Sequence, residues 1–248
     1  MRRAPFLVLV LLLALPAGAS AQERPALGAQ LAACESGPDP AQRFAIFIAS
    51  MPALAGTRQM SMRFDLMERR DGARRRWRRL TAPAFGRWDR SKEPGAAGFI
   101  YTKRVERLKE AASYRAVVRF RWVDRDGEVQ RQTRRTTPVC AQPSQRPNLV
   151  VEGVDVLPGP DGATSRYLVR VLNQGRTAAP AFTLGMVAGQ EDLMHEVPGL
   201  VAGGRTTVEM VAPRCPAGAT VDVMLDVRNV VRESSERDNR SISPCDGR

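Results

Sequence analysis

Tyr114-Arg115-Ala116-Val117-Val118-Arg119-Phe120-Arg121-Trp122 decides how this chain is read. Tyr114, Ala116, Val118, Phe120 and Trp122 share one parity; Arg115, Arg119 and Arg121 share the other. Successive side chains of an extended strand point to opposite faces, so this stretch is a half-buried antiparallel strand. Met60, Met62, Phe64 and Leu66 repeat the pattern against Ser61, Arg63 and Asp65. Phe44-Ala45-Ile46-Phe47-Ile48 reads as a more fully buried strand, and Asp71-Gly72 and Asp126-Gly127 are turn signals between such runs. No long amphipathic helix stands out. The fold class is all-β, with a sandwich of about seven strands in this half of the chain.

Two residues refine that reading. Trp77 follows the Asp71-Gly72 turn, where immunoglobulin-like sandwiches place a core tryptophan, and is expected to point inward. Leu108, followed by Tyr114 at a strand start, has the form of a tyrosine corner. The N-terminal half therefore resembles an immunoglobulin or fibronectin type III module. Its two cysteines, Cys34 and Cys140, flank the module rather than bridging its sheets in this reading. Segment 81–98, rich in Pro and Gly, is loop-like and takes no strand assignment.

The chain has 248 residues, 38 Lys+Arg, 26 Asp+Glu, one His and four Cys. With 43% hydrophobic and 26% charged residues it is an ordinary globular composition rather than a disordered one. Arg2 and Arg3, the apolar run at 6–15, and Ala19-Ser20-Ala21 form a secretory signal peptide, residues 1–21, cleaved near Ala21-Gln22. That run is too short to span a bilayer, and no later one is longer, so the expected mature chain is secreted with no transmembrane span. Arginine outnumbers lysine 35 to 3, a composition that hints at a bacterial source. Export places the thiols in an oxidising compartment. Four cysteines allow three pairings; Cys34–Cys140 with Cys215–Cys245 is preferred because each bridge then stays within one unit.

Pro143, Pro147 and the polar residues around them mark a linker at 143–148. The expected division is a signal peptide at 1–21, a basic sandwich at 22–142, the linker at 143–148, and a second sandwich at 149–248. Charge divides near the same place. Residues 22–146 carry 26 basic and 13 acidic side chains, while residues 147–248 carry 10 and 13. Expressed separately and oxidised, each half is expected to melt cooperatively; a half without a cooperative melt places the boundary elsewhere.

The second half alternates too: Tyr167, Val169 and Val171 form one run, and Val221, Val223, Leu225 and Val227 another. Further motifs occur in order. These are Pro147-Asn148-Leu149-Val150-Val151, Val171-Leu172-Asn173-Gln174-Gly175, Val197-Pro198-Gly199-Leu200 leading to Gly203-Gly204, and Val231-Arg232-Glu233-Ser234-Ser235-Glu236-Arg237-Asp238-Asn239. They resemble the bacterial cell-adhesion-related domain, CARDB. Ser235 stands where that family often has Asn, and no Pro follows Asp226. The resemblance implies an immunoglobulin-like sandwich found in secreted and surface proteins, with no catalytic residue. The whole chain thus reads as two immunoglobulin-like antiparallel sandwiches in tandem after a signal peptide.

The densest chemistry lies in Arg69-Arg70-Asp71-Gly72-Ala73-Arg74-Arg75-Arg76-Trp77-Arg78-Arg79. With Trp77 inward, Arg76 and Arg78 point outward, beside a strand carrying Arg119 and Arg121; at least one of Arg131, Arg134 and Arg135 adds to the same face. Arg74, Arg76, Arg78, Arg119 and Arg121 are the candidate polyanion-binding residues, because guanidinium groups grip phosphates, carboxylates and sulfates bidentately. The alternative is a solvated strand face. Trp77 and Trp122 fall on the apolar face in this reading, which leaves few aromatics to stack on bases and excludes sequence-specific nucleic-acid binding.

A single histidine, His195, rules out paired-histidine chemistry, and no Gly-x-Ser-x-Gly is present. Glu233, Glu236, Asp238 and Asn239 are oxygen ligands of the kind calcium uses, but their spacing does not match an EF-hand loop and a structural turn accounts for them. No catalytic residue, metal or cofactor is assigned. The expected protein is a secreted, non-catalytic binding or adhesion protein whose partners are anionic cell-wall or surface polymers or other extracellular proteins. The alternatives are a structural or assembly protein acting through its second sandwich and, third, an unrecognised secreted hydrolase.

Overall fold

The alternating runs fold as strands on both sides of the prolines at 143 and 147. The computed structural model describes residues 25–71 and 76–245. The leader expected at 1–21 and Arg74 lie outside these described residues.

In the N-terminal half, β1 (Gly28–Ser36), β2 (Arg43–Pro52) and β6 (Gly98–Glu106) form a three-stranded antiparallel sheet in the order β1-β2-β6. Against it lies a six-stranded sheet. β4 (Arg78–Arg79), β3 (Gln59–Arg70), β7 (Ala112–Val123) and β8 (Val129–Thr136) run side by side, while β5 (Trp88–Arg90) pairs with β3 and β9 (Cys140–Gln142) with β7. Its spine is the β3–β7 ladder, unbroken from Gln59↔Val123 to Arg70↔Ala112. Apolar parities meet across the sandwich: Phe47, Met51, Met62, Phe64, Leu66, Phe120 and Trp122 are all buried in one core. Each such side chain contributes roughly 1.5–3 kcal/mol of burial free energy. The unassigned segment 81–98 thus contains the three-residue strand β5 and ends on Gly98, the first residue of β6.

Tyr114 is buried near the start of β7. Its hydroxyl accepts the Lys109 N–H at 3.1 Å and donates to Glu68 Oε1 at 3.0 Å. Trp122 is the core tryptophan, its indole N–H donating to the Pro52 carbonyl at 2.7 Å.

The C-terminal half repeats the plan. β10 (Leu149–Pro158), β11 (Thr164–Asn173) and β14 (Arg205–Pro213) form one sheet in the order β10-β11-β14. β13 (Glu191–Val197), β12 (Phe182–Ala188), β15 (Thr220–Met224) and β16 (Arg240–Pro244) form the other, in the order β13-β12-β15-β16. Leu149, Tyr167, Val169, Phe182, Leu184 and Val223 belong to a second, separate core. The alternation at 221–227 outruns its strand. Asp226 adopts a left-handed backbone, φ 49°, and its carboxylate accepts the N–H groups of Val230 at 3.0 Å and Val231 at 2.7 Å, which turns the chain away.

Disulfides join Cys34 to Cys140 and Cys215 to Cys245, each with Cα atoms 5.5 Å apart. Cys34 lies on β1 and Cys140 on β9, so this bridge ties the two sheets together instead of merely flanking the sandwich. Between the cores, the Gln145 N–H donates to Glu110 Oε2 at 2.6 Å. The Arg146 and Pro147 carbonyls accept N–H groups of Arg176 at 3.1 Å and Ser234 at 2.9 Å.

Candidate anion-binding face

Parity on β3 and β7 sends one set of side chains into the core and the other to the outer face of the six-stranded sheet. Register then decides which basic groups meet. Arg63 on β3 is opposite Arg119 on β7, which is opposite Arg134 on β8. One step along, Arg121 lies between Ser61 and Gln132. On the other side of β3, Arg90 pairs with Ser61, Trp88 with Arg63, and Arg79 with Met67. Like charges directly opposed on a sheet repel, so this face requires compensation.

Asp65 supplies it. Its side chain is 5% exposed against 56% for Arg119, so it lies beneath the guanidinium layer. It accepts from Arg63 Nε at 3.1 Å and Arg119 Nε at 3.2 Å, and it also pairs with Arg79. One carboxylate orders three guanidiniums and leaves the cluster net positive.

Tryptophan orders others. The Arg121 guanidinium lies 4.1 Å from the Trp88 ring centre, and those of Arg115 and Arg69 lie 4.0 and 4.9 Å from the Trp77 ring centre. Stacking of this kind is favourable because the ring face is electron-rich. It also holds each guanidinium in place, which lowers the ordering cost of gripping an anion.

The sequence-predicted residues divide. Arg119 and Arg121 lie on this face. Arg76 is exposed just before β4 and belongs to no strand. Arg78 points the other way: it pairs in register with Glu68, and its Nε donates to Glu68 Oε2 at 2.8 Å. Arg79, one residue on, holds the outward position instead.

The cause is Trp77. It was expected to point inward but lies outside the core under Arg115 and Arg69, so the inferred parity of its neighbours is reversed. Trp88 also lies on the outer face. The expectation that the tryptophans leave that face is therefore corrected for Trp77, and Trp122 alone of the two named there is in the core. Sequence reasoning missed Arg63, Arg79, Arg115 and Trp88. The alternation of Arg63 with Phe64 marked the first as outward; nothing local marked Trp88.

In the C-terminal half, Glu233 and Asp238 serve the fold. Glu233 accepts from the Leu149 N–H and from Asn239 Nδ2, the latter at 2.8 Å, while Asp238 accepts from Asn148 Nδ2 at 2.8 Å. These bonds fasten the start of β10 to the loop before β16. Among the described residues no three His, Cys, Asp or Glu side chains converge as metal ligands. Among those residues, too, no helix is long and apolar enough to cross a membrane. His195 is exposed on β13.

Residues 146–243 match the CARDB family model. Among solved structures, a cell surface protein domain from Methanosarcina acetivorans is 21% identical at a TM-score of 0.34, covering 40% of this chain and 89% of that one. Red sea bream transglutaminase is 11% identical at a TM-score of 0.35, covering 89% of this chain and 31% of that one. The FN1–FN3 domains of chicken CNTN1 are 13% identical at a TM-score of 0.23, covering 89% of this chain and 66% of that one. No curated protein matches the chain.

Proposed function

We propose that this is an extracellular, non-catalytic binding protein whose N-terminal sheet grips anionic polymers through its outer face. One observation supports the reading above the rest: Arg63, Arg119 and Arg134 stand side by side in register, the first two over a single buried carboxylate, flanked by tryptophan-stacked arginines. Regularly spaced guanidiniums suit a polymer with repeating phosphate or carboxylate groups. The CARDB-like half acts as the module that presents this face or contacts other proteins.

The test is binding of the mature chain to anionic wall polymer, anionic vesicles and duplex DNA across a salt series. Affinity for the polymer is expected to fall as salt rises, because counterions compete for the guanidiniums. Arg119→Ser/Arg121→Ser/Arg134→Ser is expected to lose about tenfold or more in affinity with only a modest fall in melting temperature, since Arg119 and Arg134 are exposed and Arg121 is half-buried against Trp88. Equal binding by wild type and triple variant would sink the proposal.

A protein partner is the second reading, and a specific surface favours it. Val187, Met194, Met224 and Ile242 are 42%, 63%, 46% and 60% exposed. All four lie on the outer face of the β13-β12-β15-β16 sheet, around Gly185 and Asp222. Association through this patch would be insensitive to salt.

A further inference from the structure

A second site lies at the other side of the basic sandwich, where the two sheets part. A cleft of about 620 Å³ opens between the end of β3, β4 and the end of β6. That volume is in the range of small-ligand sites. Its floor is apolar: Leu80, Ala82, Val105 and Leu108, with the Tyr114 ring behind them. Its rim is cationic: Arg70, Arg78, Arg104, Arg107 and Lys109, against Glu68 and Glu106.

The rim charges fall into two kinds. Arg78 and Arg70 lean on Glu68, whose side chain is 1% exposed. Burial alone would raise the Glu68 carboxyl, but hydrogen bonds from Arg78 and Tyr114 and the charge of Arg70 hold it below the usual range. Glu68 therefore stays charged and anchors that wall. Arg104 is taken by Glu106 at 2.7 Å and lies over the Phe44 ring. Arg107 and Lys109 form no ion pair among the described residues. Arg107 also sits on the lip with a left-handed backbone, φ 53°, a conformation that a non-glycine residue holds only when its surroundings impose it.

We propose that this cleft binds a small amphiphilic anion, its apolar body on the floor and its carboxylate or phosphate head at Arg107 and Lys109. An apolar ligand alone would leave the cations unused, and a bare anion would leave the floor uncovered. β4 is only two residues long, so the cleft offers volume and charge rather than a strand ladder for a peptide. The site is distinct from the outer face, whose arginines point away from it.

The test is calorimetric titration of the full oxidised chain with decanoate, decyl phosphate and decyltrimethylammonium, each below its micellar concentration. Both anions are expected to bind, and the stronger of the two identifies the head group; the cation is expected not to bind. Ala82→Trp fills the floor without removing a core side chain and should abolish binding. Arg107→Asn/Lys109→Gln changes only exposed groups, keeps a residue that tolerates the left-handed backbone, and should weaken both anions about tenfold or more. Arg119→Ser/Arg121→Ser on the outer face should leave both affinities unchanged. Failure of either anion to bind, equal uptake of the cation, or anion binding that survives both cleft variants overturns the proposal. Loss in the outer-face variant instead would assign the anions to that face and overturn it as well.

Discussion

Cys34→Ala/Cys140→Ala will destabilise the basic sandwich by about 4–5 kcal/mol, far more than any exchange of an exposed arginine. The bridge spans 106 residues, so it removes more freedom from the unfolded chain than a short loop would. It also joins β1, an edge strand of one sheet, to the three-residue β9 of the other. Both lie at the ends of the sandwich, where fraying begins. Denaturant melts of the oxidised wild type and the double variant measure the difference. Cys215→Ala/Cys245→Ala, which opens a separation of only 30 residues, should cost about 3–4 kcal/mol. A loss below about 1 kcal/mol in the longer-loop variant would show that the bridge does not restrict the unfolded chain as the entropy argument requires.

Raising the pH from 5 to 8 will weaken the C-terminal sandwich by about 2–3 kcal/mol. Glu233 is the cause. Burial pushes its carboxyl up to about 7, helped by the charges of Glu236 and Asp226 and opposed by hydrogen bonds from the Leu149 N–H and Asn239. In the unfolded chain the same group titrates near 4.5. Between these values the folded state holds the proton and the unfolded state does not. Stability contributed by the bound proton is therefore complete below about 4.5, falls as the pH rises through the window, and levels off above about 7. Glu233→Gln keeps the shape and removes the titration. Its melting temperature should vary less between pH 5 and 8 than that of wild type. Identical pH profiles for the two proteins would exclude Glu233 as the source.

Legibility in the sequence depended on whether the signal was local. Parity on β3 and β7 is a property of adjacent residues, and it assigned the buried and exposed sides of both strands from Met60 to Trp122. The disulfide pairing followed from keeping each bridge within one apolar unit. Trp77 was misread because parity cannot be carried across a turn into a strand of two residues. With its direction reversed, Arg78 and Arg79 exchanged roles. Trp88 was hidden because its three-residue strand has too few positions to show an alternation.

The sequence alone determined that this protein is built of strands, that its apolar residues divide into two cores, and that its positive charge is concentrated before the prolines at 143 and 147. Each of these depends on neighbours in the chain, because a pleated backbone turns every second side chain to the same side. Tertiary structure alone decided that Arg63, Arg119 and Arg134 share one row, that Asp65 lies beneath Arg63 and Arg119, and that Glu68 anchors the wall of a cleft. Those facts rest on register between strands that lie from ten to more than fifty residues apart in the chain. A shift of one residue in that register would turn every one of those side chains to the opposite face.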